Sequence, residues 1–134
     1  MMVRDGEGAT KVVDVRVTGA ASEEAALRAA RTVAESPLVK TALHGEDPNW
    51  GRIAAAVGRS GAYAGGPLRI LIGGVPVVEQ GLGLGVEAEA QAHEQMQGAE
   101  YEIRVELQEG QDEAVVTTCD LTAEYVKINA DYRT

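Results

Sequence analysis

YEIRVELQEGQDEAVVTTC, residues 101–119, is the stretch on which the architecture turns. Its first half alternates, with Tyr101, Ile103, Val105 and Leu107 on one side and Glu102, Arg104 and Glu106 on the other. A period of two residues marks a half-buried strand. A polar turn at 109–112 leads into a second strand-like run, 113–119, so the two are expected to pair as a hairpin. Upstream, residues 87–97 carry Ala88, Ala92 and Met96 on one helical face, with Gly98 as the stop. Two short apolar strands, 68–72 and 75–78, flank Gly73-Gly74, a tight-hairpin signal. Residues 11–18 alternate again, with Val13, Val15 and Val17 facing one way and Asp14 and Arg16 the other.

Helical signals fill the gaps. Ser22 opens a helix with Glu23 and Glu24 in its first turn, where the dipole favours negative charge. Leu27, Ala30, Val33 and Ala34 form its apolar stripe, Pro37 ends it, and residues 38–43 form a short second helix or turn. Asp47 is the expected cap of the next helix, with Pro48 at its first position. Ile53, Ala54, Ala55, Ala56 and Val57 are small all round, which predicts burial on more than one side. A glycine-rich loop spans 58–66, and a last helix is expected from Thr122 to about residue 131. About five strands and four helices predict an α+β fold, an antiparallel-rich sheet packed with helices. Residues 1–134 are expected to form a single domain with no internal boundary.

Composition narrows the function classes. The chain has no Phe and one Trp, so its core relies on close packing of Ala, Val, Leu and Gly. A formal net charge of −9 argues against nucleic-acid and anionic-membrane partners, which demand a basic face. Cys119 is the sole cysteine, which excludes an internal disulfide. Inside a strand pattern with no neighbouring His, it reads as a buried, inert thiol. No apolar run reaches the roughly 18 residues of a membrane span, so a cytoplasmic location is the default expectation. His44 and His93 have no partner at metal-ligand spacing, so no metal site is expected. His44 reads as a surface or capping histidine. Residues 81–85, GLGLG, lack the spacing of a dinucleotide loop and read as a turn between strand and helix.

Three segments are more polar than their surroundings require. Asp5-Gly6-Glu7-Gly8 would present the Glu7 carboxylate at the lip of a strand, although composition alone favours a solvated loop. Glu46, Asn49 and Arg52 could line a polar site at a helix N-terminus, where free N–H groups favour a carboxylate. Asp47 capping and Trp50 packing are an equally good account. The terminal Asn129 to Thr134 are either a docked polar tail or a frayed end.

Taken as a set, these segments carry a resemblance. DGEGATK (5–11), SPLVKTALHGEDPNWGRIAAAVGRSG (36–61), ILIGGVPV (70–77) and TCDLTAEYVKINADYRT (118–134) resemble, in order, the C-terminal part of the ornithine acetyltransferase (glutamate N-acetyltransferase) family of arginine biosynthesis. The resemblance implies a precursor that cleaves itself before a threonine, which then serves as an N-terminal nucleophile. Its hydroxyl carries acetyl from N-acetylornithine to glutamate, with the free α-amine as local base. Some members also accept acetyl-coenzyme A as co-substrate; no bound cofactor is implied. Carried over by residue, Glu7, Asn129 and Thr134 are substrate-binding positions. A carboxylate suits the ornithine ammonium, and an amide and a hydroxyl suit the amino-acid head group.

One departure from the family pattern matters. Its nucleophile lies well upstream of DGEGATK, so this chain is expected to hold no catalytic residue. Thr10 follows Ala9 and mimics the cleavage junction, but it falls inside the DGEGATK match and precedes Lys11. The chain is thus expected to be a fragment, or a separate piece starting at Met1 or Met2. Its implied partners are the upstream segment of the same precursor and the small-molecule substrates, in a heterotetramer or other oligomer. The alternative is a stand-alone binding or interaction domain that keeps the fold without the chemistry.

Overall fold

In the computed structural model, residues 11–120 are described. They run β1 (Val12–Ala20), α1 (Glu23–Ala34), α2 (Pro37–His44), α3 (Trp50–Arg59), β2 (Arg69–Ile72), β3 (Val75–Glu79), β4 (Leu82–Gly83), α4 (Val86–Met96), β5 (Glu100–Glu106) and β6 (Asp112–Cys119). The six strands form one sheet in the order β4-β3-β2-β5-β1-β6. Every pairing is antiparallel except that of β1 with β5. The fold is α+β with a mostly antiparallel sheet, as the alternation of strand and helix signals implies.

The expected β5–β6 hairpin does not form. β1 lies between the two strands, parallel to β5 (Val15 beside Ile103) and antiparallel to β6 (Val15 beside Val116). Alternation identifies a strand and its buried side, but it carries no information about the neighbour. Val13, Val15 and Val17 have no exposed surface, so β1 gains most as a central strand. The link from β5 to β6 passes over the end of β1, where Leu107 N–H donates to Thr18 O and Glu109 N–H to Gly19 O. That crossing needs glycine. Gly19 takes a φ of +67°, and a Cβ on Gly110 would sit 2.3 Å from Ala20 O.

Helices cover one face of the sheet. Ala26, Ala29, Ala30 and Val33 of α1 and Ala92 and Met96 of α4 share a core with Val15, Ile70, Ile72, Ile103 and Val105. Ser22 Oγ accepts from Ala25 N–H and caps α1 as expected. Leu27 is exposed, so the stripe of α1 is carried by Val33 and four alanines, Ala26, Ala29, Ala30 and Ala34. On α3, Ile53, Ala56 and Val57 are buried and Ala55 is exposed, so that helix is one-sided here and not buried all round. The opposite sheet face carries cross-strand ion pairs, among them Arg16–Glu102 (2.9 Å) and Arg69–Glu79 (2.9 Å). The GLGLG turn contains a sixth strand, β4, on the edge of the sheet. Cys119 is half-buried, more accessible than a core thiol. The last expected helix lies outside the described residues.

Candidate functional site

Three segments far apart in sequence meet at one end of the sheet. Lys11, the last residue of DGEGATK, has its side chain 8% exposed. Its ammonium donates to Glu46 Oε2 (2.8 Å), Met96 O (2.8 Å) and Gly98 O (3.3 Å). The two carbonyls sit at the C-terminal end of α4, where the helix dipole favours a cation. The Lys11 N–H donates to Asp120 Oδ1 (2.9 Å), and the Asp120 N–H donates back to Lys11 O (3.3 Å). Asp120 is buried, and its Oδ2 accepts from His44 Nδ1 at 2.8 Å. A carboxylate only accepts, so the half-exposed His44 ring carries a proton on Nδ1.

Glu46 is aimed by its backbone, which takes a φ of +55°, uncommon for a residue with a side chain. The hydrogen bond from Lys11, and then the charge of the same ammonium, hold its carboxyl below its ordinary pKa of 4.5. Its carbonyl accepts from His93 Nδ1 at 2.7 Å. The Tyr101 hydroxyl is buried beside this cluster and has no hydrogen-bond partner among the described residues. Burial, followed by the nearby Asp120 and Glu46 carboxylates, raises its pKa well above the ordinary tyrosine value. On the polar face of the sheet, a cavity of about 350 Å³ is lined by Val12, Asp14, Glu100, Tyr101 and Glu102. Within it, Asp14 accepts from the Thr117 hydroxyl and Glu102 from Arg16.

The polar group expected at the start of α3 is taken apart by the structure. Glu46 turns to Lys11, Asn49 Oδ1 accepts from Arg52 N–H (3.1 Å), and Arg52 Nη1 donates to Leu38 O (3.0 Å). Asn49, not Asp47, is therefore the cap of α3. Pro48 stands outside the helix, and Asn49 N–H closes a tight turn onto Asp47 O. Trp50 packs its indole on Gly83, with Nε1 donating to Glu89 Oε2 at 3.3 Å.

The substrate-binding positions implied by the resemblance, Glu7, Asn129 and Thr134, all lie outside the described residues. The segments that carry them join the described body at Lys11 and Asp120, the two residues bonded to each other. Sequence reading missed Lys11, His44 and Asp120 as partners. Their separations of 109 and 76 residues leave no local signal. Among the described residues, no group of three His, Cys, Asp or Glu is placed to hold a metal ion, and no helix is long and apolar enough to cross a membrane.

The crystal structure of the arginine biosynthesis bifunctional protein ArgJ from Bacillus halodurans matches with a TM-score of 0.86 and 40% identity, over 98% of this chain and 62% of that one. The ArgJ family model matches residues 1–134. The chain is 57% identical, over all its length, to the arginine biosynthesis bifunctional protein ArgJ of Syntrophotalea carbinolica, and 53% identical to that of Thermus thermophilus. It spans 34% and 35% of the length of these relatives and corresponds to their C-terminal part. The chain belongs to the ArgJ family.

Proposed function

We propose that this chain supplies part of the substrate site of a glutamate N-acetyltransferase, while an upstream segment brings the nucleophilic threonine. The end-to-end match to the C-terminal part of ArgJ relatives carries the reading. In the first half-reaction the threonine Oγ attacks the acetyl carbonyl of N-acetylornithine. The C–N bond breaks, and the ornithine amine leaves with the proton taken from the hydroxyl. In the second, the glutamate amine attacks the acetyl ester and the hydroxyl is restored. Glu7, Asn129 and Thr134 hold the amino-acid groups of the substrates, and acetyl-coenzyme A is an alternative donor.

Within this reading, the Lys11–Asp120 and Lys11–Glu46 bonds are positioning contacts. They fix Lys11 and Asp120 side by side, the two residues from which the substrate-binding segments continue, and nothing in them transfers acetyl. Acetyl transfer from N-acetylornithine to glutamate, assayed on the chain alone and together with the upstream portion of an ArgJ relative, tests the reading. Turnover is expected only in the mixture. A mixture that binds both substrates without transfer would favour the plain binding domain.

A further inference from the structure

Beyond the polar cluster, the described surface carries one continuous run of exposed apolar side chains. Leu82, Leu84 and Val86 are 71%, 46% and 84% exposed. They alternate with Gly81, Gly83 and Gly85, and the strap they form is held rigidly. Gly81 N–H donates to Leu68 O and Leu84 N–H to Val77 O. Gly81 and Gly85 take φ values of +78° and +99°, and Gly83 lies so close under Trp50 that a Cβ would meet the ring at 2.6 Å. β4 pairs with β3 on one side only, and its outer edge has no strand partner among the described residues. Scattered apolar residues on a surface are ordinary, but a preformed contiguous row on a sheet edge marks an interface.

We propose that Leu82, Leu84 and Val86 are the docking surface for the larger, preceding part of the ArgJ protein. Two observations select this occupant. The match spans only 34% of the first relative, so most of that protein lies outside it. The strap also rests on Trp50, whose Nε1 donates to Glu89 of α4, one turn before the His93 that bonds Glu46 O, so a body seated on it stands near the Lys11–Glu46 cluster. The inference rests on the proposed function for the identity of the partner alone.

The test uses the full chain and the separately produced preceding part of the Syntrophotalea carbinolica relative, with binding measured by titration calorimetry. Leu82→Ser and Leu84→Ser should each weaken binding by about tenfold, the scale set by transfer of a buried aliphatic side chain. Val115→Ser, at an exposed residue on the far edge strand, should leave binding unchanged. Circular dichroism melts confirm that the variants fold, and Val86→Ser serves if one of them does not. Equal binding by wild type and strap variants overturns the inference, as does no binding by wild type. Loss of self-association with partner binding intact overturns it too, because the occupant would then be a second copy. Acetyl transfer is assayed in parallel. Strap-dependent binding without turnover sinks the functional reading alone, and full turnover with every strap variant sinks the inference alone.

Discussion

Lys11 and Asp120, 109 residues apart, exchange two hydrogen bonds, from Lys11 N–H to Asp120 Oδ1 at 2.9 Å and from Asp120 N–H to Lys11 O at 3.3 Å. The pair closes the described body on itself at the start of β1. Because the Lys11 ammonium also reaches Glu46 and α4, one residue ties together the first strand, the α2–α3 connection and the helix before β5.

Lys11→Met should destabilise the chain by about 2–3 kcal/mol, since it deletes a charged donor that satisfies two carbonyls and a carboxylate. Lys11→Arg should recover little, because a planar guanidinium cannot reach three acceptors set around a compact ammonium. Urea midpoints for the three proteins check this. A loss below about 0.5 kcal/mol for Lys11→Met would show that the cluster is solvated in practice.

Acid should undo the Glu46 contact. A carboxyl with a lowered folded-state pKa contributes stability above its unfolded value, 4.5, and loses it as pH falls through the lower folded value. The stability gap between wild type and Glu46→Gln should therefore be widest at neutral pH and shrink steadily below pH 4.5. Unfolding curves taken at neutral pH and well below 4.5 decide it. A gap that is constant with pH contradicts the pairing.

Two glycine substitutions should have opposite signs. Gly110→Ala drives a methyl into the Ala20 backbone and should cost about 2–3 kcal/mol. Gly58→Ala, in α3 with nothing within 4 Å of the new methyl, should stabilise by about 0.5–1 kcal/mol through helix propensity. Thermal melts of the two variants suffice. A neutral Gly110→Ala would mean that the crossing over β1 is looser than drawn.

In the complemented enzyme, Glu7→Gln, Asn129→Ala and Thr134→Ala should each lower kcat/KM by roughly ten- to a hundred-fold, the worth of one hydrogen bond to a charged group. Melting temperatures should move by only a few degrees. If the variants keep full efficiency, the proposed substrate site is wrong; if they unfold, the residues are structural.

What could be read ahead of the structure was what short-range physics writes into neighbouring residues. The valine alternation of β1, the Ser22 cap and the Gly73-Gly74 turn each depend on residues a few positions apart, and all three are found. Long-range choices left no such mark. Nothing in residues 101–119 says that Val15 will separate Ile103 from Val116, because any valine-faced strand would satisfy both. The Asp47-Pro48 pair looked like a helix start, yet Asn49 offers the same cap two residues later, and the tight turn onto Asp47 selects it. The small residues of α3 signalled close packing without saying on how many sides. The cluster of Lys11, Glu46, His44 and Asp120 was hidden for the same reason as the strand order. Glu46 stood out only beside Asn49 and Arg52, Lys11 and Asp120 are ordinary charges in sequence, and only the fold makes the four residues neighbours.

The central position of β1 sets a timetable for biosynthesis. Of the six described strands β1 is the first to leave the ribosome, and both strands that will flank it come at 100 and beyond. Until then Val13, Val15 and Val17 travel in a nascent chain with both edges of their strand open, the state most exposed to wrong pairing and aggregation. The local β2–β3 hairpin and the helices can form early, but the sheet closes only when β6 emerges. Translation interrupted between residues 20 and 100 would thus release a product that chaperones must hold.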